Sequence, residues 1–223
     1  MKSLFITSTC ICRPSIHNYC FGRLLEFLTN CPNVHFIFNI DNVSGLDNCP
    51  QEDTMNNLKA LVESHNKTCE FFLPEKPCFF SATKRVLSRA KELMGDNQQT
   101  GLLWFEDDKY FKKDPNFVNV LSEPQTGTVH HFWKKSAQQP TFHPCYWGWR
   151  AATTYLFPAF NRKTQGDPEL IMMKYWKDNY KEGDLWVRYY ITHSTDVGRD
   201  WQAKNNIKKW VREKMNNVSV TYV

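Results

Sequence analysis

The segment Gly101-Leu102-Leu103-Trp104-Phe105-Glu106-Asp107-Asp108 constrains this chain more than any other: an unbroken apolar run stops abruptly at three consecutive acids. A short apolar run after a glycine reads as a strand buried on both faces, and such strands belong to sheets covered by helices on each side. The acids then stand at the strand's carboxyl end, where open α/β sheets bind their ligands. Three adjacent carboxylates repel one another unless a cation lies between them, and a hard divalent ion carrying a phosphate meets that need. The plainer alternative is a solvated turn leading into Lys109, Lys112 and Lys113.

The rest of the first half follows the same grammar. Leu4 to Thr7 reads as a strand, Tyr19 to Leu28 as a helix, Val34 to Ile40 as a strand ending at Asp41, Thr54 to Ser64 as a helix and Cys69 to Leu73 as a strand. Ser81 is the expected cap of an amphipathic helix running to Met94, with Ala82, Val86, Leu87, Ala90 and Leu93 inward and Gly95 ending it. Strands alternating with helices up to residue 108 call for a right-handed, doubly wound, mostly parallel sheet with helices on both faces. The second half, residues 109–223, is less regular. Thr128 to Trp133 and Trp186 to Thr192 read as strands and Pro168 to Asp178 as a helix, with the aromatic segment His143 to Arg150 between them. The expectation is one domain over residues 1–223, a ligand-binding half (1–108) joined without a linker to a smaller half (109–223).

Composition narrows the function classes. With 41% hydrophobic and 23% charged residues the chain is an ordinary folded protein, not a disordered one. Its net charge of +5 suits anionic ligands but is too scattered to argue for nucleic acid. No run approaches the ~18 apolar residues that a membrane span needs. The eight cysteines form no Cys-x-x-Cys pair and no zinc-type spacing, which reads as reduced thiols and a cytoplasmic location. Aromatic content of 15% makes sugar-stacking or base-stacking surfaces worth weighing against core packing.

A strand tipped by Glu106-Asp107-Asp108, then Gly166-Asp167-Pro168-Glu169 opening a helix, then Ile191-Thr192-His193-Ser194 ending a strand, resembles the GT-A (Rossmann-like) fold of nucleotide-sugar glycosyltransferases. The chain is similar in size to the compact GT-A enzymes of large algal viruses, which decorate capsid glycoproteins; that likeness implies a host-cytoplasmic location. The resemblance implies that the triplet stands for the Asp-x-Asp motif holding Mn²⁺ or Mg²⁺ against the donor diphosphate, here with Glu in first place. Asp108 is then the direct metal ligand, Glu106 reaches the metal through water or binds the ribose, Asp107 belongs to the donor site, and His193 is the late metal ligand. It also implies a general base at the later helix start, Asp167 or Glu169, and hence inversion at the anomeric carbon, with a retaining mechanism as the alternative. A capping role for Asp167 is equally compatible with its place before Pro168.

Donor contacts are expected from the loops after the strands: Thr7, Ser8, Thr9 and Arg13 after the first, Asn39 and Asp41 after the second, with Lys84, Arg85 or Arg199 offsetting leaving-group charge. Trp133, Tyr146, Trp147 and Trp149 offer acceptor-stacking faces, although about half are expected to be buried. The resemblance favours a UDP-sugar donor and a glycan or glycoprotein acceptor. A sugar-phosphate nucleotidyltransferase is a rival, weakened because residues 7–16 lack the glycine-rich loop such enzymes carry. A non-catalytic carbohydrate-binding module explains the aromatics but not the acids.

Overall fold

The computed structural model describes residues 2–44, 49–122, 127–132, 143–161, 163, 165–190, 193–198, 203, 211–212 and 220–221. Its centre is a seven-stranded sheet of order β3-β2-β1-β4-β7-β6-β8. The strands are β1 (Ser3–Cys12), β2 (Val34–Ser44), β3 (Thr68–Phe72), β4 (Thr100–Trp104), β6 (Thr128–His131), β7 (Cys145–Gly148) and β8 (Trp186–Tyr189). Only β7 runs against the others: it is antiparallel to both β4 and β6, while the remaining neighbours pair in parallel. Two short strands, β5 (Lys109–Phe111) and β9 (Ser194–Asp196), form an antiparallel ribbon beside the sheet. A further small pair joins β10 (Val211–Arg212) and β11 (Val220–Thr221).

Helices cover both faces. On one lie α1 (Pro14–Phe27) and α2 (Gln51–Ser64), which bury Phe21, Leu24, Leu58 and Val62 against Phe36, Phe38 and Phe105. Phe21 meets Phe38 and Phe105 edge-on, each at 5.2 Å between ring centres, and each such pair adds about 0.5–1.5 kcal/mol beyond the area it buries. The short α4 (Phe117–Ser122) closes this layer. On the other face α3 (Phe79–Met94) packs with α5 (Trp149–Ala151), a π turn (Ala152–Leu156), α6 (Phe157–Asn161) and α7 (Pro168–Asn179). No described helix is long and apolar enough to cross a membrane.

Several boundaries differ from the sequence expectation. The first strand does not stop at Thr7 but runs to Cys12, because its side chains are covered on both faces: Thr7 and Ser8 are fully buried. The first helix starts at Pro14, five residues before Tyr19, since proline at the first helical position needs no amide partner. Cys78, not Ser81, holds the cap position of α3, with no side-chain capping bond, and Gly95 ends that helix at φ +46°.

The largest correction concerns Cys145–Gly148. These residues form β7, inserted between β4 and β6, so Tyr146 and Trp147 are core residues and not acceptor platforms. Trp147 packs edge-on against Trp176, and the Tyr146 ring fills the space above Gly101, where a β-carbon would collide with it. Trp149 follows at the sheet's far edge, where Gly148 pairs with Gly101, and its indole N–H donates to the Gly95 carbonyl at 2.9 Å. That edge is opposite the acid-tipped end of β4, which removes Trp149 from an acceptor site there. Trp133 lies outside the described residues.

Candidate functional site

The chain builds β1, β2 and β3 outward in one direction, then α3 crosses the other face and delivers β4 to the free side of β1. The strand order therefore reverses between β1 and β4, and the carboxyl ends of two such strands are the place where ligands bind in open α/β sheets. Arg13 closes β1 and Glu106-Asp107-Asp108 closes β4, so the switch point brings a cation against the acids.

Asp107 is the hub. Its Oδ2 accepts from the Ile11 amide at 3.2 Å, Arg13 Nε at 3.0 Å and His17 Nε2 at 3.1 Å, and its Oδ1 accepts from Arg13 Nη2. Arg13 and His17 reach it together because they stand four residues apart at the start of α1, on one helix face. Burial by itself raises the Asp107 pKa, but the Arg13 guanidinium and the His17 hydrogen bond outweigh it and hold the carboxyl well below the usual carboxylate range. Arg13 is only 4% exposed. Asp107 and Arg13 are thus an internal lock between the ends of β1 and β4, a pairing that the sequence expectation of donor contacts did not include.

The flanking acids keep part of their surface and converge on one ammonium. Lys109 Nζ lies 2.9 Å from Asp108 Oδ1, 3.3 Å from Asp196 Oδ2 and 3.4 Å from Glu106 Oε2. Burial works against the lysine's charge, yet Glu106 and Asp108 outweigh it and raise its pKa above the ordinary lysine value. Asp108 also takes Arg13 Nη2 at 3.2 Å, and burial raises its pKa. His143 Nδ1 stands 3.3 Å from Glu106 Oε2. Among the described residues, the carboxyl groups of Glu106, Asp107, Asp108 and Asp196 gather around Arg13 and Lys109.

Asp196 arrives through the β5–β9 ribbon, whose register sets Lys109 opposite Asp196 and Phe111 opposite Ser194. The same register moves His193 away: its carbonyl accepts from the Lys112 amide at 2.7 Å, just past the end of β5 and four residues beyond Asp108, or roughly 13 Å of backbone at ~3.3 Å per residue. Its ring packs on Tyr190. Strand β9 therefore presents Asp196 to the triplet, while the expected metal ligand His193 stands just before that strand, on the Lys112 side of the ribbon. Gly198 lies directly against Asp108, whose carboxylate a β-carbon there would strike.

A second network occupies the end of β2. Asn39 Nδ2 donates to Asp41 Oδ1 at 2.8 Å, the Cys78 amide donates to Asp41 Oδ2 at 3.2 Å, and Arg85 donates to Asn39 Oδ1. Burial raises the Asp41 pKa. Arg85 also lies over the Phe72 ring, 5.9 Å from its centre. Thr9 pairs with Asn39 in the sheet, so of the three hydroxyl residues expected in a loop only Thr9 retains part of its surface. The Lys84 ammonium donates to the Lys163 carbonyl at 2.7 Å, tying the segment before α7 to α3 and leaving the phosphate role expected of it to others. Asp167 caps α7, its Oδ1 accepting from the Glu169 amide at 3.0 Å and the Leu170 amide at 3.2 Å. Arg199 lies outside the described residues.

Cys10, His17 and Asp107 also bring three potential metal-ligating atoms within 4.8 Å of one another. The chemistry of that trio favours hydrogen bonding over metal ligation: the Asp107 oxygens already take four donor bonds, and burial raises the Cys10 pKa so that the thiol stays protonated. Glu106, Asp108 and Asp196 are the better fit to a hard divalent ion, as oxygen donors with side chains 26, 20 and 24% exposed.

No protein-family profile matches the chain, and no curated protein sequence does. Among solved structures, a 4-diphosphocytidyl-2C-methyl-D-erythritol synthase is similar over 92% of this chain and 97% of its own, with a TM-score of 0.50 and 6% sequence identity. A structure titled "Crystal Structure of a Mycobacterial Protein" covers 99% of this chain and 83% of its own at a TM-score of 0.49 and 9% identity. The first likeness is one of fold, a Rossmann-like α/β sheet flanked by helices.

Proposed function

We propose that this protein is a metal-dependent glycosyltransferase that moves a sugar from a nucleoside-diphosphate sugar, UDP-linked by preference, to a glycan or glycoprotein acceptor. One observation carries the reading: at the switch point of a Rossmann-like fold, Glu106 and Asp108 stand at the carboxyl end of β4 while Asp107 is locked inward by Arg13. Carboxyl groups crowd this end of β4, so a diphosphate is expected to enter together with a cation. Asp108 and Glu106 are the residues to hold Mn²⁺ or Mg²⁺ there, and such an ion acts as Lewis acid and clamp for the departing diphosphate. Asn39, Asp41 and Arg85 line the base and ribose end, with residues 1–108 forming the donor half and 109–223 the acceptor half. The likeness to the compact enzymes of large algal viruses is carried by size and motif order alone.

Calorimetry of UDP checks the metal. Mn²⁺ is expected to tighten binding by about tenfold or more, equivalent to about 1.4 kcal/mol, and Asp108→Ala to erase that gain. Equal affinity in the presence of chelator refutes the reading.

Asp167 or Glu169 serves as the base that takes the acceptor proton, which makes the enzyme inverting. Asparagine caps helices as well as aspartate does, so Asp167→Asn keeps α7 intact while removing the base. Asp167→Asn or Glu169→Gln is expected to lower kcat by about 10²–10⁴-fold with the donor Kd unchanged. Full turnover in both variants turns the mechanism toward retention.

The fold likeness favours one second reading, a nucleotidyltransferase acting on a sugar phosphate. Against it, β1 passes through Cys12 into α1 at Pro14 with no glycine between. Release of pyrophosphate from CTP or UTP on addition of a sugar phosphate decides for that reading.

A further inference from the structure

We infer that Lys109 is a built-in occupant of the cation seat, exchanged for the divalent ion when the metal binds. The inference rests on the metal-dependent reading above and assigns Asp196 as a third carboxylate of the seat, beside Glu106 and Asp108.

The argument is geometric. One oxygen from each of these three acids points at the same ammonium, at 2.9, 3.3 and 3.4 Å, and the lysine side chain is 5% exposed. These are the oxygens a hard metal uses, but Mg²⁺ sits about 2.0–2.1 Å from its ligands, closer than any ammonium. One set of oxygens cannot serve both cations: a divalent ion drawn onto them stands where Nζ now stands, and the two positive charges repel. The lysine must leave. Its backbone stays fixed, since Lys109 is paired to Asp196 in the ribbon and its amide donates to the Glu106 carbonyl at 3.1 Å. The ammonium therefore moves by side-chain rotation alone and stays tethered next to the ion it has yielded to. Without metal, it keeps three converging carboxylates from repelling one another and so preserves the seat.

Exchange gives the metal a competitor carried by the protein itself, so the wild-type protein binds metal more weakly than its carboxylates permit. The test uses MnCl₂ alone, without nucleotide. By calorimetry, Lys109→Met is expected to bind Mn²⁺ at least about tenfold more tightly than wild type, and Asp196→Asn about tenfold more weakly, while His193→Ala is unchanged. A measurement on the unaltered protein guards against variants that fail to fold: amine labelling read by mass spectrometry should find Lys109 protected without metal and several-fold more reactive with saturating Mn²⁺.

Two outcomes overturn the inference. If wild type binds Mn²⁺ but Lys109→Met binds no more tightly and Lys109 stays protected, exchange is wrong while the metal-dependent transferase stands. If neither protein binds Mn²⁺ and UDP affinity ignores chelator, the metal reading itself fails and exchange fails with it.

Discussion

Asp107→Ala is expected to lower the unfolding free energy by about 3–5 kcal/mol, the cost of breaking a buried ion pair by removing one partner. The substitution strands the Arg13 guanidinium, 4% exposed, with Asp108 as its remaining carboxylate contact among those described here, and removes the acceptor of the Ile11 amide and of His17. An unmatched buried donor costs about 1–3 kcal/mol by itself. Glu106→Ala, a few ångströms away, is expected to cost under 1 kcal/mol, because that side chain is 26% exposed and its loss leaves Lys109 with two carboxylates. Urea denaturation of the two variants separates an inward lock from a rim acid. A third variant sharpens the test: Arg13→Met with Asp107→Leu removes both charges together and should recover much of the lost stability. If Asp107→Ala proves as mild as Glu106→Ala, the lock is not what holds the ends of β1 and β4 together.

The second large effect is acid lability. His130 and His131 lie side by side on β6, 0 and 3% exposed, stacked on Tyr190 and Tyr189. Burial lowers both to a pKa of about 4; Arg188 adds to the shift at His130, and His130 and His143 add to it at His131. The unfolded chain takes up these protons near the ordinary histidine value of ~6.5. Below that pH the unfolded state binds more protons than the folded one, so stability declines as pH falls from ~6.5 toward 4. For two such groups the loss is on the order of 5 kcal/mol by pH 4. The raised carboxyls of Asp41 and Asp108 oppose this trend by taking up protons in the folded state. A difference measurement isolates the histidines. His131→Phe keeps a flat ring against Tyr189 and removes one titrating group, so its urea midpoint should fall below or match wild type at pH 7.5 and exceed it at pH 4.5. Parallel midpoint curves for the two proteins would refute a neutral buried pair.

Much of the architecture was legible because it rests on local pattern. The apolar run of β4 and the helical spacing of Val86, Leu87 and Ala90 in α3 name their elements without help from the rest of the chain. What failed was the part decided by distant residues. Thr7-Ser8-Thr9 look like turn formers, yet β2 pairs with all three and β4 with Thr7, which turns the run into strand. Tyr146 and Trp147 look like sugar platforms until Gly101 leaves room for one and Trp176 covers the other. The acid triplet could be seen in the sequence, but not how its members divide the work. Asp107 turns inward because Arg13 and His17 come to it from another part of the chain, a separation of 94 and 90 residues. Asp196 had no signal beyond its place two residues before Gly198, and only a close backbone approach explains why that position is glycine. Lys109 read as the start of a solvated basic stretch, whereas its neighbours make it the counterion of Glu106, Asp108 and Asp196.

Gly198 bears on how such a protein can be taken apart. The glycine abuts the Asp108 carboxylate, and the Val197 amide donates to the Asp108 carbonyl at 3.0 Å, so a segment made 90 positions later gauges where that acid stands. A fragment ending just after residue 108 retains the acids and loses the wall that aligns them; the complementary fragment retains the wall and has nothing to align. Reconstituting activity from two separately expressed pieces therefore depends on how tightly the ribbon re-pairs, more than on how well either piece folds.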